Sequence, residues 1–146
     1  MNRIAPEPER RVPWLIFDGD CAFCTTAVTW IAERLHRPGR LDPKYIPWQF
    51  TDLDAAGTTA VRARQEVLWL DLRGEVAGGA AAVAAWLRYA GGPYRILGTL
   101  LRLPGVAQLA DIVYRRIAAN RHRLPGGSPA CAMPPAGVVP NHHNAP

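Results

Sequence analysis

The sequence predicts an α/β fold: a small central mixed sheet flanked by helices, with additional helices at the C-terminal end. Three observations point there. An apolar run, Leu15-Ile16-Phe17, ends in a sharp acidic turn and passes at once into a helical pattern. A later apolar run over Glu66 to Asp71 is joined by a short turn to a second run near Glu75 to Ala77, which reads as a hairpin. Helical patterns separate and follow these strands. At 146 residues and 49% hydrophobic content, the chain can build one ordinary core, and two independent domains would be cramped.

The elements follow in order. Residues 1–11 are charged and proline-containing and read as a flexible N-terminal arm. A first strand covers Val12 to Phe17, and Gly19 permits the reversal that ends it. A helix spans Ala22 to His36, closed by Pro38 and Gly39. Tyr45 to Phe50 suits a second strand, which Pro47 assigns to a sheet edge or a bulge. Residues 51–64 are weakly helical. The hairpin strands come next, joined by Asp71-Leu72-Arg73-Gly74, and then a helix from Ala80 to Ala90 with Val83, Trp86, Leu87 and Ala90 on one face. Two further helices are expected, Tyr94 to Leu103 and Gly105 to Arg121. In the first, Ile96, Leu97, Leu100, Leu101 and Leu103 are expected to cover the sheet. In the second, Val106, Leu109, Ala110, Val113 and Ile117 form the apolar stripe. Residues 125–146 hold six prolines and three glycines and read as a loosely ordered tail. Residues 12–124 thus form the domain. A CxxC at the first strand-to-helix junction, followed later by a hairpin and a helix, is a thioredoxin-like arrangement.

Cys21 and Cys24 carry the chemistry. If Cys21 belongs to the first turn, Cys24, Val28, Ile31 and Leu35 share one helical stripe while Cys21, Thr25 and Thr29 fall off it. Cys24 is therefore expected to face the core and Cys21 the solvent. Unsatisfied N–H groups at a helix start favour a thiolate, which suits Cys21 as nucleophile. A three-residue step leaves Cys24 within reach to attack a mixed disulfide as the resolving thiol.

The bulk properties narrow the class. The net charge is +5, carried by sixteen arginines and one lysine, Lys44, against twelve acids. From Arg88 to Arg123 seven arginines face one acid, Asp111. No nucleic-acid motif accompanies them, so nucleic acid is not expected as a partner and the basic face reads as solvated. No apolar h-region precedes the domain, and three cysteines in such a chain indicate redox, catalysis or metal rather than a disulfide framework, which assigns the protein to the cytosol. The longest apolar region, residues 76–114, is interrupted by arginines, glycines and prolines and offers no transmembrane span. Oligomeric state is not legible.

The segment FDGDCAFC, with Asp18 three residues before Cys21, resembles the DCC family of thiol-disulfide oxidoreductases, named for a DxxCxxC motif. The stretches LWLDLRGEVAGGAAAVAAWL and GGPYRILGTLLRLPG, and YRRIAANRHRL followed by Cys131, are similar to later parts of that family, so the resemblance spans Val12 to Cys131. It implies a thioredoxin-like fold and a dithiol site at Cys21 and Cys24. Exchange with a protein disulfide or dithiol, or with a low-molecular-weight thiol, needs no cofactor and no metal. Two departures from thioredoxins proper matter. The approach to the strand facing the thiols, Ala63-Arg64-Gln65-Glu66, lacks their proline, and the dipeptide between the cysteines is Ala22-Phe23.

The neighbouring residues invite separate readings. Asp20 suits an N-cap. Asp18, at the strand end, is either a proton acceptor for Cys24 or a turn residue. Cys131 could act as a second resolving thiol, or complete a metal site with the CxxC and one of His122, His142 or His143, which would make the chain a metal-binding or adaptor module. A phosphatase-like site at Asp18 and Asp20 is a remote alternative, since the strand ending in Asp18-Gly19-Asp20 looks like the first motif of haloacid-dehalogenase-like phosphatases. Ala22 stands where those have Thr or Val, and their later lysine and acidic pair are missing. Peripheral membrane contact through Tyr94 to Leu103 ranks below simple packing of that helix.

Overall fold

The computed structural model describes residues 3–7 and 10–124. Its central sheet has four strands: β1 (Trp14–Phe17), β2 (Lys44–Pro47), β3 (Leu68–Leu70) and β4 (Val76–Gly78), in the order β2-β1-β3-β4. β1 runs parallel to β2 and antiparallel to β3, and β3 pairs antiparallel with β4. The expected mixed sheet is therefore present, with flanking helices in a thioredoxin-like α/β fold. Pro47 closes the edge strand β2, where a missing N–H costs no ladder bond. The predicted strand is shorter than expected, because Trp48–Phe50 turn into a 3-10 helix.

Alternation along β1 builds two core layers. Trp14 and Ile16 point to one face, packing with Ile46, Trp48, Leu53, Ala63 and Leu68, where α2 (Ala60–Gln65) lies. Leu15 and Phe17 point to the other, meeting Val28 and Leu35 of α1 (Ala22–Leu35) and Ala82, Trp86 and Leu87 of α3 (Ala80–Ala90). Leu15 and Ile16 are wholly buried. The β3–β4 hairpin is set by Asp71, whose Oδ1 accepts the N–H groups of Arg73 at 2.8 Å and Glu75 at 2.9 Å. Within the N-terminal arm, Ile4 bridges in parallel to Thr51, its N–H donating to Phe50 O at 2.7 Å.

The last two helices depart from expectation. α4 (Gly92–Leu100) packs closely on α3 through Gly98, where an added Cβ would lie 2.6 Å from the Ala84 carbonyl oxygen. Ile96, Leu97, Leu100 and Leu103, expected to cover the sheet, are exposed; Leu101 alone of that set packs against the core. α5 (Val106–Asn120) is turned likewise. Its half-buried side carries Ala107, Ala110, Asp111, Tyr114 and Ala118, and the expected stripe residues Val106, Leu109, Val113 and Ile117 face outward. The small alanines let the helix approach closely enough for Tyr114 to accept the Val67 N–H at 2.8 Å.

Candidate thiol site

The turn between β1 and α1 is fixed by side chains from β2 and beyond. Gly19 donates its N–H to Gln49 Oε1 at 3.2 Å, and a Cβ there would come within 2.7 Å of Pro47 Cβ, so any larger residue would push the turn off the edge strand. Asp18 is buried at 6% exposure, and its Oδ1 accepts three donors: the Trp48 indole N–H at 3.2 Å, Gln49 Nε2 at 3.0 Å and the Asp20 N–H at 3.2 Å. Its Oδ2 faces the Arg121 guanidinium at 3.8 Å. Asp20 is exposed and does not cap the helix. That expectation is corrected: the Asp18 carboxylate takes the turn's N–H, and the helix starts one residue later.

Cys21 is the N-cap. Its backbone is extended, with φ −87° and ψ 109°, and its Sγ accepts the Cys24 N–H at 3.3 Å. The sulfur is wholly buried, which corrects the expectation of a solvent-facing Cys21. Helical phase begins only at the first residue with helical dihedrals, so it cannot be extended back to a capping residue. Cys24 does lie on the expected stripe. It is half-exposed and lines a cavity of about 120 Å³ with Val28, Ile31, Phe17 and Trp86, to which Asp18, Tyr114 and Arg121 also contribute. A larger cleft of about 490 Å³ beside the hairpin turn and α3 contains no cysteine and shares none of this lining.

Arg121, immediately after α5, is the residue that sequence reasoning missed. Its guanidinium is buried at 4% exposure, donates through Nη1 to Cys24 Sγ at 3.4 Å, and reaches the Arg64 carbonyl oxygen through Nη2 at 2.5 Å. That carbonyl belongs to the approach to β3 where the sequence lacks a proline. Burial pushes the Cys24 thiol above its ordinary value of 9.0; the Arg121 charge pulls it back down, and the Asp18 charge adds to the rise. Arg121 falls three and seven positions after Ala118 and Tyr114, on the inner side of α5, which apolar periodicity does not mark.

Cys24 is a free thiol, so it is not bonded to Cys21 here. The described residues therefore bring Asp18, Gly19, Cys21 and Cys24 together and leave Asp20 at the surface. Cys131, His142 and His143 lie outside the described residues, and His122 is exposed. Among the described residues no group of three or more His, Cys, Asp or Glu side chains is arranged to hold a metal ion, and no helix is long and apolar enough to cross a membrane. Residues 15–127 match the family model of the DCC1-like thiol-disulfide oxidoreductases. No curated protein and no solved structure matches the chain.

Proposed function

The chain belongs to the DCC1-like thiol-disulfide oxidoreductase family, and on that premise we propose that Cys21 and Cys24 exchange disulfides with a protein or small-thiol partner in the cytosol. Cys21 attacks a substrate disulfide as a thiolate, forming a mixed disulfide and releasing the first substrate thiol. Cys24 then loses its proton and attacks Cys21 Sγ. That step breaks the mixed disulfide, releases the second substrate thiol and leaves a Cys21–Cys24 disulfide, so the substrate gains two electrons and the dithiol loses them. Run backward, the same steps oxidise a dithiol.

The observation that carries this reading is the contact of Arg121 with Cys24 beside the capping Cys21. A thiol whose burial raises its pKa needs a fixed positive charge when it becomes an attacking thiolate, and Arg121 lies 3.4 Å away. At Cys21 the N–H groups that open α1 serve the same end. Asp18 lines the same cavity as Cys24 and is proposed as the acceptor of the Cys24 proton. Its Oδ1 is engaged by three N–H donors and its Oδ2 faces Arg121, the same guanidinium that meets Cys24, so the proton would pass to Oδ2 beside that charge.

A redox titration against glutathione, read by thiol alkylation and mass, tests the function. A Cys21–Cys24 disulfide should form as the buffer becomes oxidising; its absence at every buffer ratio would sink the dithiol reading. The same peptide maps report any bond to Cys131, which separates a second resolving thiol from a bystander. If Asp18→Asn leaves the pH dependence of disulfide turnover unchanged, Asp18 is not the proton acceptor.

A further inference from the structure

α5 rests on the domain by its less apolar side. Leu109 is 62% exposed and Ile112 56%, with Val113 and Ile117 also exposed, while the inner side is mostly alanine. The preceding α4 repeats the pattern: Gly98 is buried and Ile96 is 66% exposed, with Leu97, Leu100 and Leu103 beside it in the chain. Soluble proteins expose large apolar side chains singly; a helical repeat of them along two successive helices marks a surface that something covers.

Charge selects the occupant. Between Gly92 and Leu124 the exposed cations are Arg95, Arg102, Arg115, Arg116 and Arg123, and the single acid, Asp111, is taken by Arg115 at 3.0 Å. Arg116 follows Ile112 by four residues and Val113 by three, so it shares the exposed face of α5 with them. A second copy docking across a two-fold axis would set these arginines against their own copies. An anionic bilayer surface accepts both features at once, apolar side chains at the acyl boundary and arginines at the headgroups. Because no helix among the described residues can cross a membrane, such contact is interfacial.

We propose that the outer face of α4 and α5 docks on anionic lipid bilayers, with Ile96, Leu100, Leu109 and Ile112 entering the interface and Arg95, Arg102 and Arg116 meeting the headgroups. The full-length protein is sedimented with vesicles of phosphatidylcholine alone and with vesicles of phosphatidylcholine and phosphatidylserine. It should partition onto the mixed vesicles only. Leu109→Gln should abolish partition, and Arg116→Gln should weaken it about fivefold; circular dichroism checks that both exposed-site variants keep the fold. No partition onto the mixed vesicles, equal partition onto both compositions, or full binding by Leu109→Gln overturns the proposal. A dimer that Leu109→Gln dissolves, without vesicle binding, also overturns it and gives the face to a second copy.

Discussion

The Arg121 guanidinium donates to the Cys24 thiol at 3.4 Å, across 97 positions of sequence, while facing the Asp18 carboxylate at 3.8 Å. Of the charges acting on Cys24, Arg121 has the larger influence and lowers the thiol, whereas Asp18 raises it. Arg121→Gln should therefore slow iodoacetamide labelling of Cys24 at neutral pH, by about tenfold for each pH unit that the thiol rises. It should also cost roughly 3 to 5 kcal/mol in urea unfolding, because Asp18 is left as a buried unpaired charge. The double variant Asp18→Asn/Arg121→Gln should regain much of that stability yet remain slower to label than the wild type. Labelling as fast as wild type in the folded double variant would remove Arg121 from the chemistry.

The proposed division of labour between the sulfurs predicts different trapping behaviour. Cys24→Ser should accumulate a mixed disulfide at Cys21 with a small disulfide reagent, since nothing remains to resolve it. Cys21→Ser should not accumulate one at Cys24 at comparable rate, because its raised pKa keeps that thiol protonated. Mass spectrometry after acid quench reads both; the opposite pattern would exchange the two roles.

Tyr114 ties α5 to the start of β3. Burial pushes its phenol up to about 12 from an ordinary value of 10.0. The folded protein thus holds the phenol protonated above the pH at which an unfolded tyrosine ionises. Its contribution is intact below about pH 10 and is lost as pH rises toward 12, a change of about 2 to 3 kcal/mol. Tyr114→Phe should flatten that alkaline loss in denaturant titrations. At neutral pH the variant should be less stable by about 1 to 3 kcal/mol, with the Val67 N–H left unsatisfied.

Gly98 sets the distance between α3 and α4. Because its added Cβ would meet a backbone carbonyl, that of Ala84 at 2.6 Å, no side chain can rotate away to relieve the clash. Gly98→Ala should destabilise the domain by about 1 to 3 kcal/mol despite the better helix propensity of alanine. A thermal midpoint at or above wild type would show that α4 shifts without cost.

What could be read from sequence was what neighbours in sequence determine. The run Leu15-Ile16-Phe17, Gly19 and the CxxC locate strand, turn and helix start, and Pro47 marks an edge. The docking side of α5 was not legible, since periodicity ranks apolarity, and here the closer fit of Ala107, Ala110 and Ala118 outweighs it. The exposure of Cys21 failed for a local reason: an N-cap has no helical phase. Arg121 needed the tertiary fold, because nothing near it in the chain names Asp18 or Cys24 as partners.

Since the sulfur of Cys21 is itself the group that closes the first turn of α1, its chemical state and the fraying of that helix are one equilibrium. On the proposed exchange cycle, a bond made at Cys21 should alter the acceptor offered to the Cys24 amide. The hydrogen-exchange rate of that amide should then differ between the dithiol and the disulfide forms, which makes it a built-in reporter of the proposed chemistry.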